Sequence, residues 1–286
     1  FHVDSSQRRP GWNDSTEAQL NLLRRSYADM VAAIGGLSCS FNATIFRRTM
    51  DDVPMLMNWA RDHADKVQSM VFILFRTSMG GDFDYYANGR AVEADELVYL
   101  GQDKNPAPIL APELVSRIQS VQPEFVPAAY LGGTKDPSSF KWLIAGRMVT
   151  PGQVHGYVGP RTMELVQSGH HALTGRYVAY SSPALTSAGK SMLAAFGPFD
   201  PRVRAIARRW ARHVAKSPRS ARANLHFQSI VIIQPLDMMK SGEMNMCDGC
   251  PDMTVHNGEL VWSCRLDEQL QHGCFVNAVP AKLAEA

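Results

Sequence analysis

The chain has 286 residues, of which 45% are hydrophobic, and its formal net charge is +2 at pH 7. This length supports one large domain or two modest ones with apolar cores, and a nearly neutral charge with scattered Lys and Arg gives no electrostatic case for nucleic-acid binding. No apolar run approaches the ~20 residues of a membrane-spanning helix and no signal peptide is visible, so we expect a cytoplasmic protein without a transmembrane segment.

The first quarter of the sequence alternates between strand and helix patterns. Apolar runs at 1–3, 37–46 and 67–76 predict strands, the last of them buried on both faces. Helical periodicity at 13–36 and 51–66 predicts the two helices between them. Strands separated by helices of this length indicate parallel βαβ units.

Two details of this region depend on single residues. Asp14 with Glu17 three positions later is typical of a capping box at the start of the first helix. The sequence opens on Phe1, inside a strand pattern and without an initial Met. We therefore expect it to be part of a longer polypeptide.

The middle of the chain is less regular. Turn residues dominate after Arg76, and the stretch 77–160 shows scattered strand patterns and a helix near 112–120. Helical periodicity then returns in three segments and is followed by a strong strand pattern; these lie at 160–168, 187–196, 200–215 and 225–239. An α+β middle region is predicted.

Four of the five cysteines lie in one short stretch near the end of the sequence. They follow the pattern C-x2-C-x13-C-x9-C and are Cys247, Cys250, Cys264 and Cys274. Four thiolates satisfy one tetrahedral zinc ion or one 4Fe–4S cluster, and spacing alone slightly favours zinc. Two disulfides are disfavoured in the expected compartment, and a thioredoxin-like pair would use only the first two cysteines.

The cysteine stretch has few residues with which to build a core. Its apolar candidates include Val255, Leu260 and Val261, so we expect it to need a metal to hold its loops. The fifth cysteine, Cys39, lies inside an apolar strand pattern and is predicted to be a packed thiol.

Three segments of the first quarter resemble a known superfamily. "FHVDSSQRRPGW", "LSCSFNATIF" and "VQSMVFILFR" look like strands four, five and six of the partial barrel of radical S-adenosylmethionine (radical SAM) proteins, and the cysteine stretch resembles their C-terminal auxiliary-cluster extensions. The resemblance implies an α/β fold with the C-terminal half of a partial (β/α)6 barrel at 1–76. An α+β region would follow at 77–240, and a small cysteine-rich metal-binding segment at 241–286.

The resemblance also implies cofactors and partners. The four cysteines of the motif would hold an auxiliary 4Fe–4S cluster, with zinc as the alternative metal. Such proteins hold a second, catalytic cluster with C-x3-C-x2-C, which the sequence lacks, so that motif is expected upstream of Phe1. S-adenosylmethionine, a flavodoxin or ferredoxin as electron donor, and a small-molecule or lipid-like substrate would complete the system.

The implied chemistry is hydrogen abstraction by a 5′-deoxyadenosyl radical, which the cofactors supply. The outcome stays open among C–C or C–S bond formation, methylation and dehydrogenation. The alternative function is that of a non-catalytic protein with a structural zinc site of four cysteine ligands.

The resemblance places candidate cofactor residues at or near the C-terminal ends of the three strands, because that end faces the cofactor in barrels. The candidates are Asp4, Ser5, Ser40, Asn42, Thr44 and Arg76. Ser40, Asn42 and Thr44 alternate with apolar residues and so share one face of a strand. The alternatives are that Asp4 caps a turn, that Asn42 satisfies backbone groups and that Arg76 forms a surface ion pair.

Two further pairs are candidate substrate residues. Tyr85 and Tyr86 follow the third strand, near the expected mouth of the barrel. His170 and His171 are adjacent on a predicted loop after a short helix, where histidines bind metals or move protons. Adjacent histidines are more often one exposed and one hydrogen-bonded without such a role.

Overall fold

The computed structural model shows a mixed α/β protein and describes residues 1–75, 83–93, 109–178, 180 and 182–281. The chain divides into two compact units, and each unit is made of three separate segments. The larger unit contains Phe1–Ile73, Ala111–Tyr130 and Leu143–Ile233, and the smaller unit contains Leu74–Leu110, Leu131–Trp142 and Gln234–Ala286. The chain thus passes repeatedly from one unit to the other, whereas the predicted boundaries near 76 and 240 separate consecutive segments.

The described residues form strands β1 to β13 and helices α1 to α8. The strands are β1 (Ser40–Ile45), β2 (Ser69–Leu74), β3 (Phe83–Ala87), β4 (Arg90–Val92), β5 (Ala129–Leu131), β6 (Trp142–Thr150), β7 (Gln153–Val158), β8 (His226–Ile233), β9 (Asp237–Met238), β10 (Met244–Asn245), β11 (Met253–His256), β12 (Glu259–Trp262) and β13 (Asn277–Pro280). The helices are α1 (Glu17–Ile34), α2 (Val53–Asp62), α3 (Ala111–Gln119), α4 (Pro160–Thr174), α5 (Pro183–Thr186), α6 (Gly189–Phe196), α7 (Pro201–Lys216) and α8 (Leu266–His272).

A six-stranded sheet of order β1-β2-β8-β6-β5, with β7 paired to β6, forms the centre of the larger unit. β2 and β8 are parallel, whereas β6 and β7 are antiparallel. The amides of Gln68 and Ser69 both donate to the Cys39 carbonyl, so β1 and β2 begin side by side and run in one direction. His2 forms a parallel bridge to Asn42 on the other side of β1. The α/β class is confirmed, and the partial barrel stays a prediction.

The predicted capping box of the first helix is wrong. Thr16 caps α1: its hydroxyl accepts from the Gln19 amide at 3.3 Å, and the Gln19 side chain accepts from the Thr16 amide at 2.8 Å. Asp14 instead has a positive φ of 61°, outside the helix. Glu17 is buried, and its carboxylate lies 2.5 Å from the Arg24 guanidinium. The polar residue directly before the first helical turn therefore takes the capping role.

The alternation predicted for the second strand is confirmed. One face of β1 is at most 1% exposed and the other is half-buried; the buried side chains are Phe41, Ala43 and Ile45, and the half-buried ones are Ser40, Asn42 and Thr44. The Phe41 ring meets Trp59 of α2 edge to face, with centroids 5.6 Å apart. Helix α2 therefore covers the apolar face of β1, and the opposite face carries the candidate cofactor residues Ser40, Asn42 and Thr44.

A large apolar cluster joins β6 and β8 to helices α4, α6 and α7 in the larger unit. Phe227 of β8 has no exposed surface. Its ring occupies the space above Gly146 of β6, where a Cβ atom would lie 2.3 Å from the ring carbon Cζ. Close packing of apolar side chains therefore stabilises this part of the sheet.

The smaller unit contains short antiparallel sheets. β3 pairs with β4 and β13, β9 with β10, and β11 with β12. Asn88 and Gly89 both have positive φ at the turn between β3 and β4, as a two-residue hairpin of type I′ requires. Of the expected core residues in the cysteine stretch, Val261 is buried, but Val255 and Leu260 are 68% and 66% exposed.

Candidate metal centre

The C-x2-C turn is held against a glycine-containing loop of the smaller unit. Cys247 forms an antiparallel bridge with Gly133, and the amide of Asp248 donates to the Gly132 carbonyl at 3.0 Å. Gly249 has a φ of 63°, a left-handed conformation that glycine adopts at little cost. Backbone bonds on one side and a glycine turn on the other thus fix the motif.

Asn245 connects this loop to the strand that leads into the turn. It has no exposed surface, and its Oδ1 accepts from the amides of Lys135 and Asp136 at 2.9 and 3.1 Å. Gly133 approaches so closely that a Cβ atom there would lie 2.2 Å from Asn245 Oδ1. In the sequence, only the Gly-Gly pair at 132–133 points to this close contact with Asn245.

Three of the four cysteines in the motif lie near one another. Cys250 raises the pKa of Cys247, and both of these cysteines raise the pKa of Cys264, so the three side chains lie within electrostatic range of one another. Burial and the neighbouring Cys250 thiolate raise the pKa of Cys247 to about 11. Burial and the thiolates of both neighbours raise the pKa of Cys264 to about 12. Cys247 and Cys264 are therefore protonated at neutral pH without a metal, and a bound cation would favour their thiolate forms.

A buried ion pair connects the chain segments next to Cys264 and Cys274. Arg265, which follows Cys264, lies 2.5 Å from Glu268 and donates to the Val276 carbonyl at 2.9 Å. The Glu268 carboxylate accepts from the Val276 amide at 2.7 Å. Cys274 itself packs against the small apolar cluster around Val276. The segments that flank α8 are therefore held together beside both cysteines.

The donor set has the chemistry of a thiolate-ligated metal site. All five cysteines are free thiols, and four thiolates are the ligands of both tetrahedral zinc and 4Fe–4S clusters. Among the described residues, no group of three or more Cys, His, Asp or Glu side chains is already arranged to hold an ion. The four cysteines as one closed ligand set therefore stay a prediction.

Two neighbours of Cys247 favour its thiolate form. The Trp142 side chain and the positive charge of Lys141 both lower the pKa of Cys247, by less than burial and Cys250 raise it. Lys141 has no exposed surface; its ammonium lies 2.6 Å from Asp237 Oδ2 and 3.1 Å from the Pro235 carbonyl oxygen. Nothing in the local sequence pattern around Lys141 and Trp142 indicates an effect on a cysteine about 100 positions later.

A cavity of about 540 Å³ lies in the smaller unit beside the cysteine residues. Its lining includes Met246, which precedes Cys247, and Trp262, two residues before Cys264. Lys135 and Glu243 also line it and form an ion pair of 2.7 Å. This volume is in the range of small-molecule sites, and the lining offers both apolar and charged contacts.

The structure brings together Asp4 and Thr44, two of the predicted cofactor residues. Asp4 Oδ2 accepts from the Thr44 amide at 2.8 Å and lies 2.8 Å from His2 Nε2. Its Oδ1 accepts from the amide and the hydroxyl of Ser6. Burial raises the pKa of Asp4, but these hydrogen bonds outweigh burial and hold the pKa well below its usual range. These groups fill the four acceptor positions of the Asp4 carboxylate. A role as a turn cap therefore explains the position of Asp4, and its contact with a cofactor stays a prediction.

The other predicted cofactor residues are dispersed. Ser40 and Asn42 lie on the half-buried face of β1 and remain candidates. Ser5 is exposed, its amide donates to Glu17 at 2.6 Å, and it lines a surface cavity of about 410 Å³. Arg76 lies outside the described residues.

Tyr85 and Tyr86, predicted as substrate residues, belong to strand β3 of the smaller unit. Tyr85 is 4% exposed and forms part of the apolar cluster that contains Val276. Tyr86 faces the opposite side of the strand and is half-buried. Tyr85 is thus a core residue, and of the two tyrosines only Tyr86 has a partly exposed side chain.

The predicted loop position of His170 and His171 is wrong. Both lie near the C-terminal end of α4, because the helix continues to Thr174 and ends at Gly175 in a left-handed conformation. His170 Nδ1 lies 2.7 Å from a backbone carbonyl oxygen, and the His171 ring stacks on Tyr177 with centroids 4.5 Å apart. Their role in substrate binding stays a prediction.

Comparison with known proteins leaves the family open. No family model matches the chain, and no curated protein matches it. No helix in the described part of the chain is both long enough and apolar enough to cross a membrane. Membership of the radical SAM superfamily therefore stays a prediction based on the resemblance.

Proposed function

We propose that the chain binds a 4Fe–4S cluster through the four cysteines of its C-x2-C-x13-C-x9-C motif and acts as the auxiliary-cluster part of a radical SAM enzyme. The observation that supports metal binding is the placement of three thiols. Cys247 is buried against the loop at 132–134, and Cys250 and Cys264 both lie within electrostatic range of it.

The order and direction of strands in the larger unit are the reason for proposing an iron–sulfur cluster instead of zinc. Residues 1–3, β1 and β2 lie side by side in chain order, and β1 and β2 are joined through α2 and run in the same direction. This order agrees with the resemblance to radical SAM strands, whereas an antiparallel meander would have contradicted it. The catalytic cluster would be held by a C-x3-C-x2-C motif outside this sequence.

In the proposed enzyme, the cofactors supply reductive cleavage of S-adenosylmethionine to methionine and a 5′-deoxyadenosyl radical. The residues of this chain bind and position. Ser40 and Asn42 present hydrogen-bonding groups on the half-buried face of β1. In the smaller unit, the cavity beside the cysteines would take a small substrate against Met246 and Trp262, and their side chains suit an apolar or lipid-like group.

One arrangement in the smaller unit favours a second candidate function, a non-catalytic zinc protein. The hairpin of β11 and β12 is followed by the short helix α8, with Cys264 before the helix and Cys274 after it. A structural zinc ion commonly braces a hairpin and a short helix in this way. The lack of C-x3-C-x2-C in the sequence agrees with this candidate.

Metal analysis of protein purified without oxygen separates the two functions. We expect about four iron and four sulfide ions per chain, and loss of this content in Cys250→Ser. Cys39→Ser is the matched control, because Cys39 is a 1% exposed thiol of the larger unit, and it should keep the metal. Stoichiometric zinc without iron or sulfide would refute the cluster and favour the zinc protein.

A further inference from the structure

We infer that helix α7 docks the protein on an anionic lipid surface through its exposed basic side chains. The inference is independent of the proposed function, because it uses only α7 and its flanking residues in the larger unit, and neither the cysteines nor a cofactor. The exposed basic residues of the helix, which we call the basic face, are Arg202, Arg204, Arg208, Arg209, Arg212 and Lys216.

The segment that contains α7 concentrates positive charge in a chain that is nearly neutral as a whole. Residues 201–222 include eight of the 29 Lys and Arg residues and no Asp or Glu. Two of the eight, Arg219 and Arg222, lie just beyond the helix and are exposed. Clusters of about four to eight basic residues on an amphipathic helix are typical of sites that bind anionic lipids.

The opposite side of α7 fixes the helix to the larger unit. Val203 and Ile206 are 1% and 3% exposed and belong to the large apolar cluster. Gly156 of β7 lets the helix approach the sheet closely, because a Cβ atom there would lie 2.8 Å from Ile206 Cγ1. With about 3.6 residues per turn, the basic face therefore lies on the side of α7 that points away from this cluster.

Most of the basic face has no ion-pair partner. Among the described residues, only Arg209 pairs with a carboxylate, that of Glu124. The other basic residues include a series at intervals of four, where like charges repel one another and destabilise a helix; this series is Arg204, Arg208, Arg212 and Lys216. A bound anionic surface would relieve the repulsion.

The residues between the basic ones favour a lipid surface over a nucleic acid or an acidic protein. The exposed non-basic residues between Arg202 and Lys216 are Ala211 and Ala215. Alanine side chains have no polar group with which to recognise a base or to match the hydrogen bonds of a protein surface. A fluid lipid surface requires only positive charge from the helix.

An aromatic residue next to the basic face also favours a lipid surface. Phe199 lies just before α7 and is 71% exposed. The Arg204 guanidinium donates to the Pro198 carbonyl at 2.8 Å, so the loop that carries the ring adjoins the basic face. Exposed aromatic side chains beside Lys and Arg are typical of helices that lie at a membrane interface.

Sedimentation of the purified protein with vesicles tests the inference. We expect binding to vesicles of phosphatidylcholine and phosphatidylserine in equal amounts, and little binding to phosphatidylcholine alone. A triple variant with Arg208→Gln, Arg212→Gln and Lys216→Gln should bind the anionic vesicles about 100-fold more weakly, because each basic residue near the surface contributes about fivefold to binding.

A second triple variant is the matched control for charge. Arg25→Gln, Arg47→Gln and Arg61→Gln remove the same number of positive charges from the larger unit, and each of these arginines is already paired with a carboxylate. The control should bind the anionic vesicles within about threefold of the wild type, because charges away from the lipid surface are screened by salt.

Two further variants separate a lipid surface from other anionic partners. Arg208→Lys combined with Arg212→Lys keeps the charge and should bind like the wild type, whereas a partner held by bidentate guanidinium contacts would be lost. Phe199→Ala should bind about tenfold more weakly, because an apolar contact with the bilayer is removed. Binding of the wild type to duplex DNA without binding to anionic vesicles would overturn the inference.

The salt dependence of wild-type binding is a readout that needs no variant to fold. Binding to the anionic vesicles should weaken steadily as the salt concentration rises. Binding that is unaffected by salt, or equal binding of the wild type and the folded Gln variant of the basic face, would overturn the inference. Neither result depends on the metal content that tests the proposed function.

Discussion

Phe227 in the larger unit has no exposed surface, whereas Val255 and Leu260 in the smaller unit are 68% and 66% exposed. Around Phe227, a continuous apolar cluster joins the central sheet to three helices. In the smaller unit, backbone bonds and the buried Arg265–Glu268 ion pair connect short strands and loops. Apolar packing therefore orders the region around Phe227, and we expect the proposed metal to supply part of the order of the cysteine segment.

The largest expected effect comes from opening the apolar cluster of the larger unit. Phe227→Ala removes a fully buried ring that packs directly on Gly146. We expect a loss of about 3–5 kcal/mol in the free energy of unfolding, as for other large-to-small core changes. Denaturant unfolding followed by circular dichroism measures this loss. Metal content should be unchanged, and a loss below about 1 kcal/mol would show that apolar packing is not what stabilises this unit.

We expect His155 to make the free energy of unfolding of the larger unit depend on pH in the acid range. Its Nε2 lies 3.0 Å from the Thr150 hydroxyl, and its ring centroid lies 5.3 Å from that of His213. Burial, with a smaller contribution from the His213 charge, lowers the pKa of His155 from 6.5 to about 4. Between these values the unfolded chain binds a proton that the folded chain does not, so the free energy of unfolding falls as the pH decreases through this window.

The expected loss between pH 6.5 and 4 is at most about 3 kcal/mol from this group. His155→Gln should flatten the pH dependence of the unfolding free energy in this window, because glutamine does not titrate. Identical slopes for the wild type and His155→Gln would contradict this prediction.

The smallest expected effect is on the proposed binding of S-adenosylmethionine by the larger unit. In a chain that includes the predicted upstream segment, Asn42→Ala should weaken S-adenosylmethionine binding by about 1–2 kcal/mol, the cost of a lost buried hydrogen bond. Isothermal titration calorimetry measures this change. Asn58→Ala on α2, the helix that covers the opposite face of β1, should bind like the wild type. Equal binding by both variants would remove Asn42 from the site.

Local patterns in the sequence predicted where helices and strands form better than which strands pair with each other. The alternation of β1 and the helices near 112–120 and 200–215 are confirmed, because periodicity reports which face of an element is buried. The pairing of β2 with β8 joins Ser69 to Ser229. Such long-range pairing depends on tertiary packing, which a local pattern does not contain.

The candidate metal centre shows the same limit. Cysteine spacing predicts the ligands, since the motif lies in one short stretch. The residues that support them lie far away in the chain: the loop at 132–134 pairs with Cys247 and its neighbours only after folding. The placement of Tyr85 in a core and of His170 in a helix likewise follows from packing and from the position of Gly175.

Amide hydrogen exchange of the protein with and without its metal tests most directly the claim that a metal orders the smaller unit. We predict that amides between 244 and 276 exchange on the order of 100-fold faster or more after the proposed metal is removed, because the energy of metal binding would contribute to folding there. Amides of β2 and β8 in the larger unit should keep their protection. Equal protection of the cysteine segment in the two states would contradict the account.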